Sequence, residues 1–223
     1  MSYTFLVVAL VIAVVNWIAV EKKIKILEYF AKPGTMIALL IWLWQNGVVQ
    51  GDMLWFAVGA VFCLAGDVFL MLPQNLFIAG LVSFLLGHVF YVIGFNQPQP
   101  RLSLIVLVAA LLLGLGLTWL YRRLAAGLAA KGQHSLKVPV LIYSLVISLM
   151  VLSALSNIGR WYLLPALLSS AGALFFYASD SMLAWDRFVA PLPHARLRVM
   201  VTYHLGQFGI LLGAFWQWVI LSN

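Results

Sequence analysis

Stretches of about 20 apolar residues, the length a helix needs to cross the hydrocarbon of a bilayer, recur along this whole chain with only short polar breaks between them. They run Tyr3–Val20, Pro33–Val49, Asp52–Leu72, Asn75–Phe95, Leu102–Tyr121, Val138–Leu155, Trp161–Trp185 and Val199–Ile220. So little is left between them that one transmembrane domain, residues 1–223, is expected: an all-α polytopic bundle of about eight helices. Composition excludes the soluble alternative, since 65% of residues are hydrophobic and only 9% charged. The first run reads as a retained span and not as a secretory signal, because Lys22, Lys23 and Lys25 follow its apolar segment instead of preceding it. The single cysteine, Cys63, falls inside a span, so no intramolecular disulfide can form.

The charge is sorted by loop. Of 13 basic residues, eleven fall in the first, third, fifth and seventh connections, with Lys32, Arg187, Arg196 and Arg198 among them; only Arg101 and Arg160 fall on the other side. The positive-inside rule puts those odd loops in the cytoplasm and both termini on the non-cytoplasmic side. The net charge of +7 is thus an orientation signal, with attraction to anionic lipid headgroups second to it. A nucleic-acid partner is excluded, because the cations form no stripe with interleaved aromatics. The loop "EKKIKILEYFAKPG" suits a short amphipathic helix lying in the interface, with Pro33 starting the second span where its missing N–H is harmless. "NQPQPR" reads as a breaker, and "RRLAAGLAAKGQHSLK" as the longest connection.

Two of the six acids, Asp67 in "GDVFLM" and Asp180 in "SDSMLA", lie inside spans. Each stands near the inner end of its helix, Asp67 about 7–8 Å from it and Asp180 at a comparable depth, where an ionisable group costs about 2.5–3.5 kcal/mol. Small residues Gly59, Cys63 and Gly66 turn Asp67 into the bundle, and Ser169, Ala173 and Phe176 do the same for Asp180, with Ser181 beside it. The last span brings Tyr203, His204 and Gln207 to a similar level. In the fourth span Phe77, Gly80, Phe84, His88 and Tyr91 share one face, although His88 lies some 12 Å nearer the outside than Asp67 by the count of about 1.5 Å per residue. The two Asp motifs are each followed by a span containing His, a faint internal echo.

These residues, in this order, resemble the YhhN-like membrane family, whose characterised animal members are lysoplasmalogenases. The resemblance runs from Lys32-Pro33 through "GDVFLM", the Phe77–Tyr91 face and "LFFYASDSMLAWDRF" to Tyr203 and Gln207 in "YHLGQ". His204 stands where an aromatic residue is usual, so no role is carried onto it. The family implies hydrolysis of the vinyl-ether bond of a lysoplasmalogen, releasing a fatty aldehyde and glycerophosphoethanolamine or glycerophosphocholine. Membrane lipids and a lysophospholipid substrate are the expected partners, no metal or cofactor is implied, and the expected location is the cell (inner) membrane if the source is bacterial. The residues suit that chemistry independently, because protonating a vinyl ether at carbon needs one neutral carboxyl, and stabilising the resulting cation is helped by one carboxylate. Two buried acids sharing a site divide in this way. Asp67 and Asp180 are therefore the expected catalytic pair, in an order the sequence leaves open, with Lys32, His88, Tyr91, Ser181, Tyr203 and Gln207 binding or supporting, and Lys32, Arg196 or Arg198 near the phosphate. Two other readings stand beside it: a metal-dependent intramembrane lipid hydrolase using His88, Asp67, Asp180 and His204, and a proton-coupled transporter using the paired acids as a relay.

The charge asymmetry makes a direct prediction. Cysteine labels placed around His134 should be inaccessible to an impermeant reagent in intact cells, and labels appended after Asn223 should react. The opposite pattern would invert the orientation.

Overall fold

A computed structural model describes residues 1–47, 49–72, 76–97 and 103–222. Asn75, Leu102, Arg101 and the greater part of "NQPQPR" lie outside the described residues. Among the described residues, eight α-helices are long and apolar enough to cross a membrane: α1 (Thr4–Glu21), α2 (Lys25–Gln45), α3 (Met53–Met71), α4 (Phe77–Phe95), α5 (Leu104–Ala130), α6 (Lys137–Leu155), α7 (Leu163–Phe188) and α8 (Ala195–Ser222). A 3₁₀ turn, His134–Leu136, leads into α6.

Two boundaries differ from expectation. The segment from Lys25 is not a separate interfacial helix, because α2 runs through it without a break and Pro33 lies inside. Proline there removes only the hydrogen bond to the Tyr29 carbonyl, on a residue that is 43% exposed. Continuity places Glu28 and Lys32 four residues apart on one face, where both find partners in the bundle that a helix lying flat in the interface could not offer. Helix α5 likewise extends to Ala130 and absorbs half of the expected long connection. "RRLAAGLAA" consists almost wholly of strong helix formers.

The tightest pairs are α7 with α8, α3 with α4, and α1 with α2. Glycine sets the first two. A Cβ on Gly59 would stand 2.6 Å from the Tyr91 ring and 3.0 Å from the Gly87 carbonyl, so α3 and α4 touch nearly backbone to backbone. On Gly172 it would run into the Ile210 amide nitrogen and stand 2.7 Å from the Gly209 carbonyl carbon. Close approach of this kind is how helices pack where no hydrophobic effect drives them together. Fully buried Trp42, Phe56, Tyr91, Phe95, Phe176 and Phe215 fill the centre. Helix α5 stands outside this core, with only Leu124 and Leu128 buried, and packs on α6 and α7.

Gly172→Ala should therefore separate α7 from α8 and lower stability by about 1–3 kcal/mol, the usual range for overpacking. Gly114→Ala, with nothing within 4 Å of the added methyl and a helix-interior glycine replaced by a better helix former, should not lower the unfolding midpoint of detergent-solubilised protein.

Candidate active site

The first turns of α2, α4, α6 and α8 and the last turns of α1, α3, α5 and α7 gather at one end of the bundle, the end that holds most of the cations. Glu21 at the end of α1 meets His194 just before α8, the ends of α2, α3, α4, α6, α7 and α8 line two adjoining cavities, and α5 reaches one of them through Leu120 and Leu124. Just inside this end the polar residues sort into three sets.

The first set surrounds Asp67, which is fully buried. Lys32 Nζ of α2 lies 3.1 Å from its Oδ1, an ion pair whose alignment falls short of a hydrogen bond. Tyr203 of α8 donates to Oδ2 at 2.7 Å. Lys32 itself is only 5% exposed, so both charges have left water, a step tolerated only when the charges are paired.

The second set surrounds Asp180. Tyr143 of α6 donates a hydrogen bond to its Oδ2, and His88 Nε2 approaches that same oxygen at 3.3 Å and the Tyr143 hydroxyl at 2.9 Å. The distance in depth between His88 and Asp180 is absorbed because α7 continues to Phe188 and α4 starts only at Phe77. Asp180 thus lies eight residues, about 12 Å, above the end of its helix and His88 about 16 Å above the start of its own. For the same reason the two aspartates do not share a depth: Asp67 is four residues, about 6 Å, from the end of α3.

The third set is Tyr91, whose hydroxyl donates to Gln207 Oε1 at 2.6 Å. His204, next to Tyr203, turns instead toward α1 and accepts from Trp17 Nε1 at 2.9 Å through Nδ1. Aromatic rings join the Asp67 and Asp180 sets. Tyr203 meets Phe176 edge-on at 5.2 Å and Phe84 at 5.8 Å, and Phe176 meets His88 at 4.6 Å.

The two cavities meet along Leu70 and Leu183, which line both. One is a narrow apolar groove of about 60 Å³ among α3 to α7, whose wall includes Phe84, Tyr143, Tyr177, Asp180 and Ser181. The other, about 280 Å³, is polar and includes Lys25, Glu28, Lys32, Asp186 and Arg196. An apolar groove beside a charged chamber has the order of polarity of a single-chain amphiphile. Asp180 borders the groove; Asp67 borders neither cavity and reaches the polar one only through Lys32. Arg196 is already engaged, its guanidinium 2.6 Å from both oxygens of Glu28, and Arg198 borders neither space. Ser181, expected beside Asp180, lines the groove with it. Among the described residues, no three His, Cys, Asp or Glu side chains gather as metal ligands would.

The profile of the YhhN family matches residues 27–214, the stretch that carries all three polar sets apart from Trp17. The chain belongs to the YhhN family. Its relatives include the human protein named lysoplasmalogenase TMEM86B, 35% identical over 70% of this chain and 62% of that protein. The mouse lysoplasmalogenase TMEM86B is 31% identical over 89% of this chain and 79% of its own length. A lysoplasmalogenase of Mycobacterium tuberculosis is 28% identical over 76% of this chain and 63% of its own length. The chain thus spans a little under two thirds of the human and mycobacterial relatives. No solved structure matches it.

Tyr143 was not legible in the sequence. A tyrosine in an apolar span looks like any other aromatic until its hydroxyl is seen to meet a carboxylate. The pairing of Lys32 with Asp67 predicts a specific pattern of stability. Lys32→Met should destabilise by about 3–5 kcal/mol, since it strands a buried carboxylate, whereas Lys32→Met with Asp67→Leu should recover the greater part of that loss. Unfolding midpoints of the single and double variants measure it.

Proposed function

We propose that this protein is a membrane-embedded lysoplasmalogenase that hydrolyses the vinyl-ether bond of alkenyl lysophospholipids by carboxyl acid/base chemistry. The observation that carries the reading is Asp180 on the wall of an apolar groove next to a polar chamber, in a chain whose relatives bear that name. The alkenyl tail occupies the groove, and the glycerol end points to the charged side.

The hydrogen bonds suggest how the roles divide. Tyr143 and His88 both address Oδ2 of Asp180, which leaves Oδ1 to carry the proton. Asp180 gives that proton to the β-carbon of the vinyl ether, and the π electrons that form the new C–H bond leave an oxocarbenium ion. As charge develops on the carboxylate, the bonds from Tyr143 and His88 strengthen, so they favour the transition state over the ground state. Water then adds to the cation and yields its proton to the Asp180 carboxylate, restoring the acid. The hemiacetal collapses by breaking the bond to the glycerol oxygen, which takes up the hydroxyl proton, and the fatty aldehyde departs. Asp67, paired with Lys32 and Tyr203 behind Phe84 and Phe176, is the second carboxylate. Its charge is balanced by Lys32, and its part is to position Lys32 at the border of the polar chamber. Tyr91 and Gln207 fix the α4–α8 contact that backs this aromatic layer.

Purified protein offered alkenyl and acyl lysophospholipids should release aldehyde from the former and no fatty acid from the latter. Asp180→Asn should lower aldehyde release about 10²–10⁴-fold, the usual loss on removing a general acid, without lowering the unfolding midpoint. Near-normal turnover by well-folded Asp180→Asn protein would remove Asp180 from the reaction.

A further inference from the structure

The polar chamber is lined by three cations: Lys32 is paired with Asp67, Arg196 is paired with Glu28, and Lys25, the first residue of α2, is exposed to solvent and lies outside the apolar groove. Arg187 differs. It lines the apolar groove together with Asp180, and its guanidinium lies 3.9 Å above the Phe77 ring and 5.8 Å from that of Phe188. Among the described residues, no carboxylate pairs with it. The aromatic faces hold the guanidinium plane without using its N–H donors, so a planar, charged, five-donor group is presented at the basic end of a hydrocarbon slot with its hydrogen-bonding capacity unspent.

Its position relative to Asp180 is metrically informative. The two residues are seven apart on α7, which places them on one face two turns apart, about 10 Å along the axis. In an extended lysophospholipid, seven bonds separate the phosphorus from the β-carbon of an sn-1 vinyl ether, a span of about 9 Å at ordinary bond lengths. We propose that Arg187 is the phosphate-binding residue of the substrate site, and that the α7 spacing from Arg187 to Asp180 acts as a ruler setting the vinyl-ether carbon against the carboxyl. The proposal rests on the reading of the groove as the tail site. It assigns the anion to Arg187 in place of Lys32, Arg196 and Arg198, two of which are neutralised by acids while the third borders neither cavity. A guanidinium on phosphate forms paired, charge-assisted hydrogen bonds, and these both add affinity and fix how deep the chain enters.

The test compares two vinyl ethers, a 1-alkenyl lysophosphatidylethanolamine and the phosphate-free 1-alkenylglycerol, in mixed micelles of a detergent lacking phosphate. The wild-type protein should prefer the phosphorylated substrate in kcat/KM. Arg187→Gln should shrink that preference roughly ten- to a hundredfold, as expected for losing a hydrogen bond to a charged group, chiefly through KM, and Arg187→Lys should fall between. An unchanged preference would overturn the assignment, as would an equal loss on both substrates, which would mark Arg187 as a structural residue or a bulk-lipid contact. Equilibrium binding of a 1-alkyl (saturated ether) lysophosphatidylethanolamine separates this proposal from the proposed reaction, because that ligand cannot be cleaved. Weaker binding by Arg187→Gln supports the phosphate site even if no aldehyde were ever released, and equal binding by the two proteins overturns it even if the enzyme proves active.

Discussion

The buried pair of Lys32 and Asp67 is the constraint from which most of this architecture follows. Neither charge has water to fall back on, so α2, α3 and α8 must meet at one point for either residue to be tolerated there. Lys32 reaches Asp67 only because α2 continues as helix past Pro33 to Lys25, and Asp67 is completed by Tyr203 from α8. The close approach of α3 to α4 at Gly59 and Gly87, and of α7 to α8 at Gly172, then holds the surrounding helices at the distances these contacts require. Polar pairing in this molecule is less a source of stability than a source of register: a helix displaced by one residue would leave a charge alone in the bundle.

The Asp180 set obeys the same rule with milder partners. Its carboxyl meets a phenol and an imidazole instead of an ammonium, and it stands beside open space. The contrast between the two aspartates is therefore one of neighbourhood: one is locked behind Phe84 and Phe176 with a permanent counter-ion, the other faces a groove with groups that can respond as charge appears. Two residues that look alike in sequence, each following a small residue near the basic end of a span, are divided by what the neighbouring helices bring to them.

Much of the fold was legible from the chain because spans announce themselves by length and hydropathy, and all eight apolar runs correspond to helices. The candidate residues were legible for a related reason: a polar group is expensive in hydrocarbon, so Asp67, Asp180 and His88 stood out against their surroundings. Their partnerships were not legible. Which cation meets which acid depends on helix rotation and on exact helix ends, and the three residues by which α7 outruns its expected end at Trp185 suffice to bring Asp180 to His88 instead of level with Asp67. Tyr143 left no trace because its ring is as much at home in an apolar span as phenylalanine. The continuation of α5 through "RRLAAGLAA" was within reach of helix propensity, and was obscured by treating charge as the mark of a loop.

Helix α5 gives the groove one of its walls through Leu120 and Leu124, yet above those residues Leu107, Leu111, Leu112 and Leu115 are each more than half exposed. Among the described residues no other helix covers that outer side, which in a membrane would lean on acyl chains. The hydrocarbon around the molecule is in this sense a further lining element, and the width of the groove is set jointly by side-chain packing on α6 and α7 and by the lateral pressure of whichever lipids happen to surround α5.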